Sequence, residues 1–391
     1  MHAVTEDVAL RSTRARRGRF ADRQTPEFLR GLGRTAVSGL LFALPFAGPA
    51  AIFAYLVGLY HPHPGTIDGK YFPDGGFLFD LHVMWKAGHD VVTGHSPYPF
   101  VYPAPAVILM VPFGVLPWKA AVVAFTIVLV AAMILALRLL GIRDWRCYGA
   151  ALASVPMFGS LAVGSLSPLL VLAAAMAWRY RDRRFVVAAA IAGAVVTKIF
   201  LWPLLVWLVA TRRVRSAATT IVLGVVTVFG CWAMIGFAGL RGYPHQVGHV
   251  AGLEQYQSYS GLALAHSLGL SHTAARLAML AVGACVLVAI AFVARQGDGD
   301  RRAFVLAIGA ALLLSPIVWM HYLLLLFVPI ALYQRRFGLA WALPLLYWLW
   351  GGQQSDGSLA VILWVLAVAI LSVALTGRVP DSLRRRPAPA A

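Results

Sequence analysis

Long apolar intervals alternate along the chain with compact clusters of arginine. The clusters fall at residues 11–34, 138–146, 179–184, 212–215, 295–302, 335–336 and 378–386, and they hold 27 of the 33 lysine and arginine residues. Between them run intervals at 36–137, 148–178, 185–210, 216–294, 303–334 and 339–376. Short basic loops beside apolar spans mark the cytoplasmic side of a membrane protein. With every cluster on that side, the chain leaves and returns an even number of times between one cluster and the next. Both termini are then cytoplasmic.

Interval lengths refine this pattern. The first apolar span, residues 36–60, is 25 residues long and follows a basic tail. It is too long and too far from the start for the core of a cleaved signal peptide, and reads as a retained first helix. Two full crossings of a hydrocarbon core roughly 30 Å thick take about 40 residues at 1.5 Å each. Intervals 148–178 and 185–210 have only 31 and 26 residues, so neither hairpin reaches the far side and returns. Their apices, 164–168 and 197–200, are expected at membrane depth, where irregular backbone is tolerated only against protein or a cavity. Interval 303–334 repeats the pattern with its apex at 315–321.

Intervals 36–137 and 216–294 are long instead, which leaves external loops at roughly 60–119 and 239–272, where functional residues are expected. With a further hairpin at 339–376, the expectation is an all-α polytopic integral membrane protein of about 12 transmembrane or half-spanning helices with a large first external loop. One membrane domain, 36–377, would stand between basic cytoplasmic tails at 1–35 and 378–391 that look disordered.

Composition agrees. The chain has 391 residues, 60% hydrophobic and 12% charged, with mean hydropathy +0.76, whereas soluble domains carry about 25% charged residues. A net charge of +18 would suggest nucleic acid in a soluble protein. Here the basic residues punctuate apolar spans and never share one aromatic-lined surface, so the partner is the lipid bilayer and no nucleic acid is expected. Cys147, Cys231 and Cys285 form no paired motif and read as packing residues. Apart from His2, every histidine falls on the external side of this topology.

Within the first loop, residues 80–94, DLHVMWKAGHDVVTG, read as a short amphipathic interfacial helix. His82, Lys86, His89 and Thr93 recur on one stripe, with Leu81, Met84, Trp85, Gly88 and Val92 on the other. Asp80 opens the helix, and its position suits an N-cap as well as an acid or base. The apolar segment 106–116 that follows is too short to span and is bounded and broken by Pro105, Pro112 and Pro117, so it reads as re-entrant or interfacial.

The order DLHVMWKAGHDVVTGHSPYP, then VYPAPA, then Lys198 in a short hairpin, then SPIVWMHY at residues 315–322 resembles the family 87 glycosyltransferases of the GT-C superfold. The similarity runs over roughly residues 79–333. It implies transfer of a sugar, mannose first, from a polyprenyl-phosphate donor to a lipid-linked or polysaccharide acceptor of the cell envelope. The reaction would take place on the external face of the plasma membrane. The resemblance also implies a catalytic aspartate early in the first loop, which falls on Asp80. Two positions depart from the family pattern: GSLS at 164–167 stands where members often carry Gly-Gln and Asn, and Tyr322 follows His321 where a second histidine is common.

Such a transfer needs a hydroxyl made nucleophilic, cations facing the departing phosphate and a path for the lipid tail. Asp80 is the candidate base. Lys198 and His321, with Arg241 or Lys86, are candidates to neutralise phosphate oxygens. Tyr98, Tyr102 and Trp319 are candidates to stack on the sugar or line the cleft, and His82 to bind substrate. No cofactor is called for, and no nucleotide-binding motif occurs. No metal is expected either, because His245 and His249 lack the Glu of a zinc motif and a third ligand. Glu254 reads as a surface ion-pairing residue, and Ser260 as a helix cap. The rival reading is a transporter or flippase of lipid-linked sugars, since interrupted helices at membrane depth are also a transporter feature. No internal repeat supports it.

Overall fold

Prolines and arginine clusters divide the apolar intervals into helices of uneven length. The computed structural model describes residues 30–44, 65–67, 70–72, 78–255, 258–349 and 357–375. Helix α1 covers residues 30–44, so the first apolar span is helical as far as residue 44. The rest of that span and most of both tails lie outside the described residues. Two short strands, β1 (Gly65–Ile67) and β2 (Lys70–Phe72), pair antiparallel. Helices α2 (Phe79–Val92) and α3 (Ala104–Gly114) follow, and α4 (Trp118–Leu139) leads out of the loop.

The interval 148–178 is made of α5 (Trp145–Leu152), α6 (Val155–Val163) and α7 (Ser167–Arg179), and the next of α8 (Arg184–Lys198) and α9 (Pro203–Ala210). With 15 and 8 residues, α8 and α9 rise only about 22 Å and about 12 Å, short of a roughly 30 Å core. The helices break at the expected apices, where Gly164 and Ile199 both adopt left-handed backbone, at φ 73° and 38°.

The remaining helices are α10 (Val214–Met234), α11 (Tyr243–Glu254), α12 (Gly261–Ser267), α13 (His272–Val293) and α14 (Gly299–Leu314). A 3-10 segment, Met320–Leu326, then runs into α15 (Phe327–Tyr333). The last elements are α16 (Leu339–Ala342), a second 3-10 segment (Leu343–Leu349) and α17 (Gly357–Leu375). Among the described residues α4, α10 and α13 are long and apolar enough to cross a membrane. Leucine, valine and phenylalanine stand outward on α10 and α13, among them Val226, Phe229, Leu280 and Phe292, as surfaces meeting hydrocarbon would require.

Three basic clusters far apart in sequence meet on one carboxylate. Arg213 grips Asp300 with both guanidinium nitrogens at 2.8 and 2.9 Å, Arg181 adds a third contact at 3.1 Å, and the Trp207 indole donates at 2.9 Å. A second junction joins the clusters at 138–146 and 335–336: Asp144 accepts from Arg146 and, through Oδ2, from the backbone N–H of Phe337.

The other end of the bundle is organised around the apex at Gly164. A Cβ there would run into the Leu81 Cβ, and the Leu78 N–H donates to the Ala162 carbonyl at 2.6 Å. The turn between α6 and α7 thus seats the first turn of α2. Gly164→Ala combines left-handed strain of about 1–2 kcal/mol with overpacking of about 1–3 kcal/mol. We expect thermal melting in detergent to fall by several degrees; an unchanged melting temperature would contradict the close approach.

Candidate active site

Four stretches of chain distant in sequence converge beside that apex. Asp80 lies in the first turn of α2, Tyr102 just before α3, Lys198 at the last residue of α8, and His321 with Tyr322 in the first 3-10 segment. The Tyr102 hydroxyl donates to Asp80 Oδ2 over a long 3.4 Å. Lys198 Nζ stands 4.1 Å from the centre of the Tyr322 ring and 5.8 Å from that of Tyr102, both within cation–π range. The rings of His321 and Tyr322 meet edge-on at 4.7 Å, and Phe200 packs on Tyr322 at 5.1 Å.

Local chemistry explains the placements. Ile199 turns the backbone out of the helix, so Lys198 sits at the C-terminus of α8, where the helix dipole favours a cation. Pro103 and Pro105 fix the entry to α3 and hold Tyr102 outside it. The Ser315 and Pro316 break ends α14, and the chain resumes as a 3-10 turn that presents His321 inward.

Two polar atoms in this cluster, Lys198 Nζ and His321 Nε2, are buried without a hydrogen-bond partner. Buried polar groups are nearly always paired, so these two atoms in one cluster are free to meet a bound group. The acid beside them is also perturbed. Burial pushes the Asp80 carboxyl above the usual carboxylate range, while the Lys198 charge and the Tyr102 hydroxyl pull it partly back. A carboxylate so tuned is a better proton acceptor than an exposed one.

Asp80 is not a helix cap. Leu78 occupies the cap position with no side-chain hydrogen bond, which leaves the Asp80 carboxylate for Tyr102. Asp80 shares its helix face with buried Met84 and Ala87 at i+4 and i+7, so the stripe of His82, Lys86 and His89 runs along the opposite face. There His82 packs against Trp85 and Trp118, and Lys86 pairs with Asp90 at 2.8 Å in solvent. Tyr98 stacks on Trp232 at 4.7 Å and donates its hydroxyl to the Tyr102 carbonyl at 3.1 Å, tying the loop to α10. Trp319 is half-buried at the entry to the 3-10 segment, its carbonyl accepting from the Tyr322 N–H.

Ser260 caps α12 by accepting from the Ala263 N–H. His245 and His249 are exposed on α11, and no cluster of three possible metal ligands occurs among the described residues. Tyr322 joins the cluster although no sequence motif singles it out as a site residue. The signal for Tyr322 was an aromatic hydroxyl between His321 and a run of four leucines. Burial, then the Asp80 charge, keeps the Tyr102 phenol well above its ordinary range, with Glu254 at the end of α11 the smallest contributor.

Among the described residues of this helical membrane protein, one buried cluster thus gathers a carboxylate, Asp80, with a lysine and a histidine. The sequence profile of glycosyltransferase family 87 matches residues 100–316, more than half of the chain, and the protein belongs to that family of glycosyltransferases. Two similar proteins are both named polyprenol-phosphate-mannose-dependent alpha-(1-2)-phosphatidylinositol pentamannoside mannosyltransferase. The one from Mycobacterium tuberculosis (strain CDC 1551 / Oshkosh) is 26% identical over 349 residues, covering 81% of this chain and 72% of the relative. The one from Mycolicibacterium smegmatis (strain ATCC 700084 / mc(2)155) is 26% identical over 339 residues, covering 77% of each. No solved structure matches the chain.

Proposed function

We propose that the protein moves a mannosyl group from a polyprenyl-phosphate donor to a lipid-linked or polysaccharide acceptor of the cell envelope, on the external face of the plasma membrane. The observation that carries this reading is the pair of unpartnered buried atoms, Lys198 Nζ and His321 Nε2, beside a carboxylate of raised proton affinity. The names of both mycobacterial relatives support the donor and a lipid-linked acceptor.

In this mechanism Asp80 accepts the proton of the acceptor hydroxyl as its oxygen bonds to the anomeric carbon. The bond from that carbon to the phosphate oxygen breaks, and the electron pair leaves with polyprenyl phosphate. Lys198 Nζ and His321 Nε2 receive the charge developing on that oxygen, an interaction stronger in the transition state than before it. Tyr102 orients Asp80, and Tyr98 holds Tyr102. Tyr322 and Tyr102 flank the Lys198 ammonium, while Trp319 borders the cleft. His82 and Lys86, on the far face of α2, would reach only an acceptor lying along the interface.

Synthetic polyprenyl-phosphate mannose offered to the protein in vesicles tests this reading: bond cleavage with transfer is expected. Counterflow of intact donor without cleavage would make it a flippase. His321→Gln keeps a hydrogen-bond donor but alters its reach, and should lower turnover by about tenfold or more without loss of folding; unchanged turnover would return His321 to packing.

The same proposal includes the full topology of about 12 crossings or half-crossings, with both termini cytoplasmic. In a background lacking the three natural cysteines, Ser96→Cys should react with an impermeant thiol reagent added outside. Gln296→Cys, beside a basic cluster, should be spared. The reverse pattern would invert the topology.

A further inference from the structure

A cavity of about 430 Å³ opens on the arginine-cluster face, where α8 and α10 begin, well away from Asp80 in the chain and on the opposite end of α8 from Lys198. Its wall carries Arg181, Arg184, Arg212, Arg213 and Arg215, against Asp182 as the one carboxylate in the lining. Asp300 stands behind Arg181 and Arg213. Five guanidinium groups less two carboxylates leave an excess of three positive charges around one hollow.

The walls are built rather than merely crowded. Arg181 and Arg213 are fixed by Asp300, and Arg213 also reaches Asp182 at 3.1 Å. Arg184 is oriented by its Nε donating to the Thr219 hydroxyl at 2.6 Å. Arg212 and Arg215 take part in no ion pair found among the described residues and remain for a ligand. Neither α8 nor α10 has a side-chain cap; arginines, Arg183 and Arg213, occupy both cap positions. Positive charge at the positive end of a helix dipole is unfavourable, and an anion in the cavity would relieve it at both helices.

The surface leading away from the cavity is apolar. Val214 belongs to its wall and is 58% exposed, and Ile221, Val222, Val225 and Phe229 continue outward-facing along α10. Phe185 is likewise exposed one residue into α8. A soluble anion would use the cavity alone, whereas a lipid would use both cavity and stripe.

We propose that this cavity binds the phosphodiester headgroup of an anionic lipid in the adjacent leaflet, with its acyl chains along α10. Loop charge that serves only to orient the chain attracts any anionic surface diffusely. A guanidinium-walled hollow retains individual lipid molecules and discriminates between headgroups.

The test uses the full chain in detergent, titrated with phosphatidylglycerol, phosphatidylcholine or inorganic phosphate and read by native mass spectrometry and thermal melting. Phosphatidylglycerol should remain bound at least about tenfold better than phosphatidylcholine and raise the melting temperature. Arg212→Gln combined with Arg215→Gln should lose about tenfold or more of that affinity. Should this variant insert wrongly, Arg212→Lys with Arg215→Lys keeps the charge that orients the chain but loses the forked contact, and should still bind several-fold more weakly. Equal retention of both lipids, or wild-type retention of phosphatidylglycerol by the correctly inserted variant, would overturn the proposal. A melting shift with millimolar inorganic phosphate equal to that with phosphatidylglycerol would assign the cavity to a soluble anion instead.

Discussion

Asp80→Asn should fold and bind donor, yet lose at least about 10²-fold in transfer, the lower end for removal of a general base. The side chain caps no helix, so the substitution leaves the start of α2 intact. The Asn carbonyl can still accept from Tyr102. What disappears is the negative charge and the ability to take a proton. That charge also faces Lys198, so its loss should leave donor affinity unchanged or raised, because the phosphate no longer competes with Asp80 for the ammonium. The pH profile supplies an independent check. The reaction requires the ionised carboxylate, and burial raises its pKa above the ordinary value. Wild-type kcat/KM should therefore fall as pH drops through a limb lying above the usual carboxylate range, and the residual activity of the Asn variant should lack that limb. Near-normal turnover in a well-folded Asn variant would remove Asp80 from the chemistry.

The short helices were legible in the sequence because length is a hard constraint: 26 residues cannot form two membrane-long helices. Gly164 and Ile199 turn where that arithmetic puts the apices, and Lys198, visible as a lone cation between apolar runs, lies at one of them. The face of Asp80 was also within reach, since Met84 and Ala87 follow it at helical spacing. The assignment of its carboxylate to Tyr102 was not, because a favoured capping residue near a helix start says nothing about which residue takes the cap. Leu78 took it through left-handed backbone, which residue preference does not anticipate. The place of Tyr322 was hidden for a different reason. It depends on the 3-10 segment approaching Lys198 and Tyr102 from a separate part of the chain, and no local pattern encodes that approach.

Lys198→Met carries the other large expectation, with donor affinity lowered by about tenfold or more, as loss of a hydrogen bond to a charged group commonly costs about 1.5–3 kcal/mol. A buried lysine pays a desolvation cost, and here its ammonium has aromatic faces around it but no hydrogen-bond partner. Methionine fills similar space without that cost, so folding and melting temperature should be maintained or improved. A lysine retained only for packing predicts the opposite pairing, with stability lost and donor affinity unchanged. The electrostatic link to Asp80 gives a third readout with a definite sign. Lys198 holds the Asp80 carboxyl lower than burial alone would. Removing it should shift the acid limb of kcat/KM to higher pH, while Lys198→Arg should leave the limb near its wild-type position even where altered geometry weakens donor binding. Only a cation placed between the base and the departing phosphate moves donor affinity and the acid limb together, and an unmoved limb in a stable Lys198→Met protein would break that connection.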